Sequence, residues 1–238
     1  MGTMPVFMTA LSTILGAILF LRFGYAVGHV GLIGTLGIVV LGHLVTIPTA
    51  MAVAEIATNS KVEGGGAYYM ISRSFGLNIG ASIGIALFLS QAISVAFYVI
   101  AFAVSFEPLA DIIFHHYGVY VDNRMAGLIF MALLALLMLS KGADIGVKAL
   151  YVVVAVLLVS LGMFFMGSAY SPSSGDITAH IDNPDDFFYV FTIIFPAFTG
   201  IAAGLGLSGD LKDPKKSIPA GTMWATLVGI VVYIAVVF

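Results

Sequence analysis

The 238-residue sequence predicts an all-α, polytopic membrane protein whose first and sixth membrane helices are broken at depth. Three observations carry this expectation. Hydrophobic residues make up 61% of the chain and charged residues 9%, and the mean hydropathy is +1.11, far outside the range of soluble domains. Seven apolar stretches can be read, near 5–23, 32–57, 76–105, 124–140, 145–167, 187–209 and 220–238, and crossing about 30 Å of hydrocarbon takes about 20 helical residues. The sixth reads FPAFTGIAAGLGLSGDL over 195–211, with a proline, a threonine and several glycines where a lipid-buried helix would be continuous. Hydrocarbon offers no partner for free backbone N–H and C=O groups, so irregular backbone at that depth is packed in protein or faces a ligand.

Each element has its own signal. The first stretch contains LSTILGAILFLR, Leu11 to Arg22, with Ser12, Thr13 and Gly16 near mid-membrane. An unwinding there would mirror the one near Thr199 and Gly200 and face it, although the same small residues equally suit close helix packing. Between stretches two and three, GGGAY at 64–68 reads as a cytoplasmic turn with closely packed backbone, since it lacks the strand-to-helix setting of a nucleotide loop. Stretches three, four and five are continuous apolar runs. The polar segment SPSSGDITAHIDNPD, 171–185, separates the fifth from the sixth and is the expected junction of two halves. The seventh runs apolar to Phe238. The expected organisation is a first five-helix repeat over 1–167, an extracellular connection over 168–186, and the start of a second, inverted repeat over 187–238, as the N-terminal part of a longer five-plus-five transporter.

Charge gives the topology. With the N-terminus inside, the cytoplasmic loops hold Lys61, Arg73, Lys141, Lys148, Lys212, Lys215 and Lys216, seven of the nine basic residues, leaving Arg22 and Arg124 outside. Acidic residues that include Glu107, Asp111, Asp122, Asp176, Asp182, Asp185 and Asp186 fall in the outer loops. The net charge of −3, spread over loops, argues for no nucleic-acid partner. The absence of cysteine removes disulfides and thiolate metal sites. Met1 to Pro5 lack the basic flank of a signal peptide. His115 and His116, adjacent in an expected outer loop, lack the spacing of a metal site, and Glu55 and Asp210 read as water-exposed helix ends.

The chemistry expected at the breaks follows from what they lack. Leu11–Leu21, Phe88–Phe102 and Tyr189–Leu207 contain no Asp, Glu, Lys, Arg or His. A proton relay would normally show one. Backbone dipoles remain: carbonyls that end one half-helix suit a cation, and N–H groups that start the next suit an anion. Carbonyl oxygens can replace the hydration shell of potassium. No enzyme chemistry and no cofactor are expected, since no nucleophile–base pair or acid pair lies at depth.

These residues resemble those of the electroneutral cation-chloride cotransporters, members of the amino acid-polyamine-organocation superfamily. The resemblance is carried by GAILFLR at 16–22, AEIATNSKVEGGGAYYMISRSFG at 54–76, AFYVIAF at 96–102 and FPAFTGIAAGLGLSGDLKDPKKSIPAGT at 195–222. It implies a symporter that moves chloride with potassium, and optionally sodium, without net charge. The family's potassium site falls on the carbonyls of Thr13 and Ile14, on Tyr98, and on Pro196 and Thr199. Its chloride sites fall on Gly16, Ala17 and Ile18 and on Gly200, Ile201 and Ala202. The sodium site would use the carbonyls of Ser12 and Leu15 with hydroxyls of an eighth helix. An alkali ion is the one metal expected, and a homodimer in the bilayer is expected of the full-length protein.

Departures are local. Thr13 stands where the family has asparagine, but the ligand there is the backbone carbonyl. Val104 replaces an acid that pairs with the helix 1 arginine, leaving Arg22 and, one turn on, Glu107 as the outer-gate pair. No N-x-S/T sequon is present, which favours a prokaryotic inner or plasma membrane. An amino-acid permease of the same superfamily is the alternative; an ion channel would need a continuous pore.

Overall fold

The computed structural model describes residues 1–59, 64–141, 143–167, 181 and 184–238. Lys61, Asp176, Asp182 and most of the 168–186 connection therefore lie outside the described residues. The secondary structure described is helical: α1 (Thr3–Ile14), α2 (Ala17–Asn59), α3 (Gly66–Phe75), α4 (Leu77–Tyr117), α5 (Asn123–Lys141), α6 (Ala143–Met166), α7 (Phe187–Ile194) and α8 (Pro214–Val237). Two 3-10 segments, Phe195–Phe198 and Ile201–Asp210, join α7 to α8. Among the described residues, five helical runs are long and apolar enough to cross a membrane: Thr3–Asn59, Leu77–Tyr117, Lys148–Met166, Phe187–Asp210 and Pro214–Val237. The chain is thus an all-α integral membrane protein, as its composition predicts.

The seven apolar stretches reappear once α2 is read as two helices. Gly37 lies against Phe187 and Gly42 against Phe198, so the second part of α2 runs parallel to α7 and its 3-10 continuation. Tyr25 donates to Asp185 while Thr13 of α1 meets Gly200, so α1 and the first part of α2 together run antiparallel to them. The chain therefore reverses between the two, at Gly31, whose φ of 70° and ψ of 177° are non-helical. A positive φ of that kind is open to glycine and strained for other residues.

Two compact units are formed, Met1–Met70 with Ala149–Phe238, and Ile71–Lys148. In the first, α8 lies against both α1 and α2. Lipid tails are as apolar as leucine, so close packing rather than water exclusion favours such contacts. Small residues permit it: Cβ positions built on Gly204 and Gly221 fall 2.6 and 2.7 Å from Val6, and one on Gly229 falls 2.7 Å from Ile14. The Gly64–Gly66 turn packs backbone to backbone on the end of the 3-10 segment, with a Gly209 Cβ position 3.3 Å from the Gly64 Cα, as expected for GGGAY.

The second unit pairs α4 with α5. Here the expected boundaries move: the third stretch does not stop at 105 but continues through Pro108 to Tyr117. His115 and His116 consequently sit in the last helical turn and not in a loop, where Gly118 in the left-handed region caps the helix. Basic side chains there complement the negative end of the helix dipole. The seventh stretch likewise starts early, because Pro214 occupies the first turn of α8 after Asp213, where its missing N–H costs nothing.

The eight residues of α7 depend on their cap. The Asp186 carboxylate accepts from the N–H groups of Phe188 at 2.9 Å and Tyr189 at 3.1 Å. Asp186→Ala is expected to cost about 0.5–2 kcal/mol, and Asp186→Asn to restore most of it. Thermal unfolding in detergent measures both; equal melting temperatures for Asp186→Ala and the parent would refute the cap's role.

Candidate functional site at two facing helix breaks

The first break lies between α1 and α2. Ser12 and Thr13 donate their hydroxyls to the Thr9 carbonyl at 3.0 and 2.8 Å, an interaction that loosens helical backbone. The last helical N–H bond of α1 runs from Leu15 to Leu11 at 2.9 Å, with Leu15 at ψ 51°. Ala17 then starts a new helix. The carbonyls of the final turn of α1 and the N–H groups of Gly16, Ala17 and Ile18 are thereby released from the usual helical ladder.

The second break is centred on Thr199 and Gly200. Pro196 sits at the start of the first 3-10 segment, where its lack of an N–H is tolerated. Thr199 is extended (φ −83°, ψ −179°) and Gly200 left-handed (φ 95°, ψ −3°). The Ala203 N–H reaches the Gly200 carbonyl at 2.9 Å, so the new segment begins there, with the N–H groups of Ile201 and Ala202 ahead of its first bond. The Thr199 hydroxyl donates to the Pro196 carbonyl at 2.7 Å, which leaves its oxygen able to act as an acceptor. Pro196, Thr199 and Ala202 are exposed.

The two breaks face each other. A Cβ built on Gly200 would fall 2.5 Å from Thr13 Cγ2 and 3.4 Å from the Thr13 carbonyl carbon. Thr13, Ile14, Pro196 and Thr199, expected for potassium, and the two triplets expected for chloride, Gly16–Ile18 and Gly200–Ala202, thus belong to one locality of the first unit. Ser12 and Leu15 belong to the same break. Tyr98 lies on α4 in the second unit, where with Phe102 and Phe130 it lines an apolar groove of about 520 Å³ against α5. Arg22, exposed, belongs to the first unit, and Glu107, also exposed, to the second.

Two residues at this site come from outside the first, third and sixth stretches and were not expected there. Tyr233 of α8 is fully buried, and its hydroxyl lies within hydrogen-bond distance of the Ile14 carbonyl and, at 2.6 Å, of the Ala197 carbonyl. His43, in the second part of α2, packs 4.9 Å from the Phe198 ring and 5.9 Å from that of Tyr233, with Nδ1 2.7 Å from the Val39 carbonyl. The surroundings of the breaks therefore include an ionisable side chain. Both had a signal: a lone tyrosine among aliphatics needs a hydroxyl partner when buried, and a histidine inside an apolar span marks function by default.

Comparison with protein families matches residues 5–238 to the family described as Amino acid permease. The chain belongs to the amino acid permease family. Within reach of this family, the chain is 37% identical over 253 residues to solute carrier family 12 member 1 of Mus musculus, covering 97% of this chain and 23% of that protein. It is 36% identical over 253 residues to solute carrier family 12 member 1 of Homo sapiens, with 97% and 22% covered. With solute carrier family 12 member 2 of Squalus acanthias it shares 35% over 248 residues, covering 96% and 20%. These relatives bear out the resemblance to cation-chloride cotransporters. The chain spans 20–23% of the length of these three relatives. All three are named as solute carriers.

Proposed function

We propose that the protein carrying this chain is a secondary active symporter that moves chloride together with potassium, with sodium as an optional third ion, and no net charge. The observation that supports this reading most is the juxtaposition of the helix breaks at Thr13 and Gly200. Half-helix C-terminal carbonyls and half-helix N–H groups then converge on one place, which suits a cation and an anion held together. Thr13 and Ile14 carbonyls, Pro196, Thr199 and Tyr98 take the potassium ion. Gly16, Ala17 and Ile18 hold one chloride and Gly200, Ile201 and Ala202 the other. Ser12 and Leu15 contribute carbonyls to sodium. Arg22 and Glu107 form the outer gate.

In this reading residues 1–167 form the first repeat and 187–238 the first two helices of the second. The end bearing Met1 faces the cytoplasm of a prokaryotic cell.

Rubidium uptake into liposomes by the purified protein tests it. Uptake should need chloride, carry no current, and be indifferent to amino acids. Thr199→Ala and Tyr98→Phe should each raise the half-saturating rubidium concentration about tenfold, equivalent to about 1.4 kcal/mol, the scale of a lost hydroxyl contact to a charge. A chloride-dependent current that follows the applied voltage, or amino-acid uptake in its place, contradicts the reading.

A further inference from the structure

Tyr233 joins the two breaks. Its ring is stacked on Phe23 (5.2 Å between centroids, 17° between planes) and meets Phe198 edge-on (5.0 Å, 82°), so the hydroxyl is held at a fixed place. That hydroxyl sits within hydrogen-bond distance of the Ile14 carbonyl, the last of α1, and of the Ala197 carbonyl, two residues before Thr199. A phenol has one proton to donate. Two acceptors from opposite sides of the site therefore share a single donor, and whichever carbonyl loses electron density to a bound cation becomes the poorer acceptor. An ion drawing on the Ile14 carbonyl sends the proton toward Ala197, and release of the ion returns it.

Resting on the symport reading, we propose that Tyr233 is the positioning residue of the cation site: its hydroxyl sets the Ile14 carbonyl for the ion and links the occupancy of the first break to the backbone of the second. The residue touches no ion itself. Its part is to hold one carbonyl ligand and to respond when that ligand is used.

Tyr233→Phe keeps the ring contacts with Phe23, Phe198 and His43 and removes only the donor. In liposomes the variant is expected to raise the half-saturating rubidium concentration at least fivefold and to reduce discrimination between rubidium and caesium. The half-saturating chloride concentration, taken at saturating rubidium, should change less than twofold. A merely structural tyrosine would lower the amount of active protein without splitting the two ions in this way. As a second measurement, Tyr233 carrying one ring fluorine preserves shape and donor, and its fluorine resonance should shift saturably with potassium chloride but not with choline chloride. If the parent protein shows no chloride-dependent rubidium uptake, the symport reading and this inference fall together. If the parent transports and either Tyr233→Phe leaves the rubidium dependence unchanged or the fluorine signal ignores potassium, the inference alone is overturned.

Discussion

Gly200→Val is expected to reduce chloride-dependent rubidium uptake to the level of empty liposomes and to destabilise the protein by roughly 2–5 kcal/mol, the sum of backbone strain and overpacking. Gly200 has φ 95°, and for a β-branched residue that conformation is a genuine outlier. Space is a separate obstacle, since even a single Cβ would lie 2.5 and 2.9 Å from the side chain of Thr13. The contributions can be separated. In Gly200→Ala combined with Thr13→Gly both overlapping side-chain atoms, Cβ and Cγ2, are gone, while the Thr13 carbonyl carbon at 3.4 Å is an ordinary contact. Beyond the cost of a helical glycine at position 13, about 0.5–1 kcal/mol, the double variant should retain only the left-handed strain, about 1–2 kcal/mol, and recover part of the uptake. Wild-type uptake by Gly200→Val would mean that the breaks do not face each other as described.

A comparable loss is expected one layer behind the site. Gly42 of α2 receives the ring of Phe198, and a Cβ there would fall 2.1 Å from Cδ2 and 2.5 Å from Cε2. The ring cannot move aside freely. Phe198 is only 1% exposed and is flanked by Phe23, His43 and Tyr233 at centroid distances of 6.3, 4.9 and 5.0 Å. Gly42→Ala should therefore cost about 1–3 kcal/mol as overpacking, and because Phe198 adjoins Thr199 it should also lower uptake severalfold. Adding Phe198→Leu to Gly42→Ala should restore melting temperature relative to the single variant, a coupling that a double-mutant cycle reads directly. Additive losses would argue that the ring does not lie over Gly42.

Much of this was legible in the residues. Continuous apolar runs gave the spans, and Gly16, Thr199 and Gly200 gave the breaks, because lipid forces every backbone group to find a partner and such residues interrupt that pattern. What the sequence could not convey was which side chains from other helices come to stand behind a break. Tyr233 lies 36 residues from Ala197 and 219 from Ile14, and no local spacing encodes such a meeting. The same holds for His43, which stands on the second part of α2 and reaches the break only by packing on Phe198. Boundaries slipped where a charged residue ended an apolar run, at Glu107 inside α4 and at Lys215 and Lys216 inside α8. Pro108 is carried inside α4 and Pro214 starts α8, so the helices outran the apolar stretches that announced them.

The 3-10 segment from Ile201 to Asp210 holds ten residues, where runs beyond three or four are uncommon. Its winding is a reserve of length. At about 2.0 Å of rise per residue it spans roughly 20 Å, and the same residues wound as α-helix would span roughly 15 Å. Rewinding alone would draw Asp210 and the start of α8 about 5 Å toward Gly200, with no hinge in the chain and no tilt of a neighbouring helix. Stroke can thus be stored in pitch.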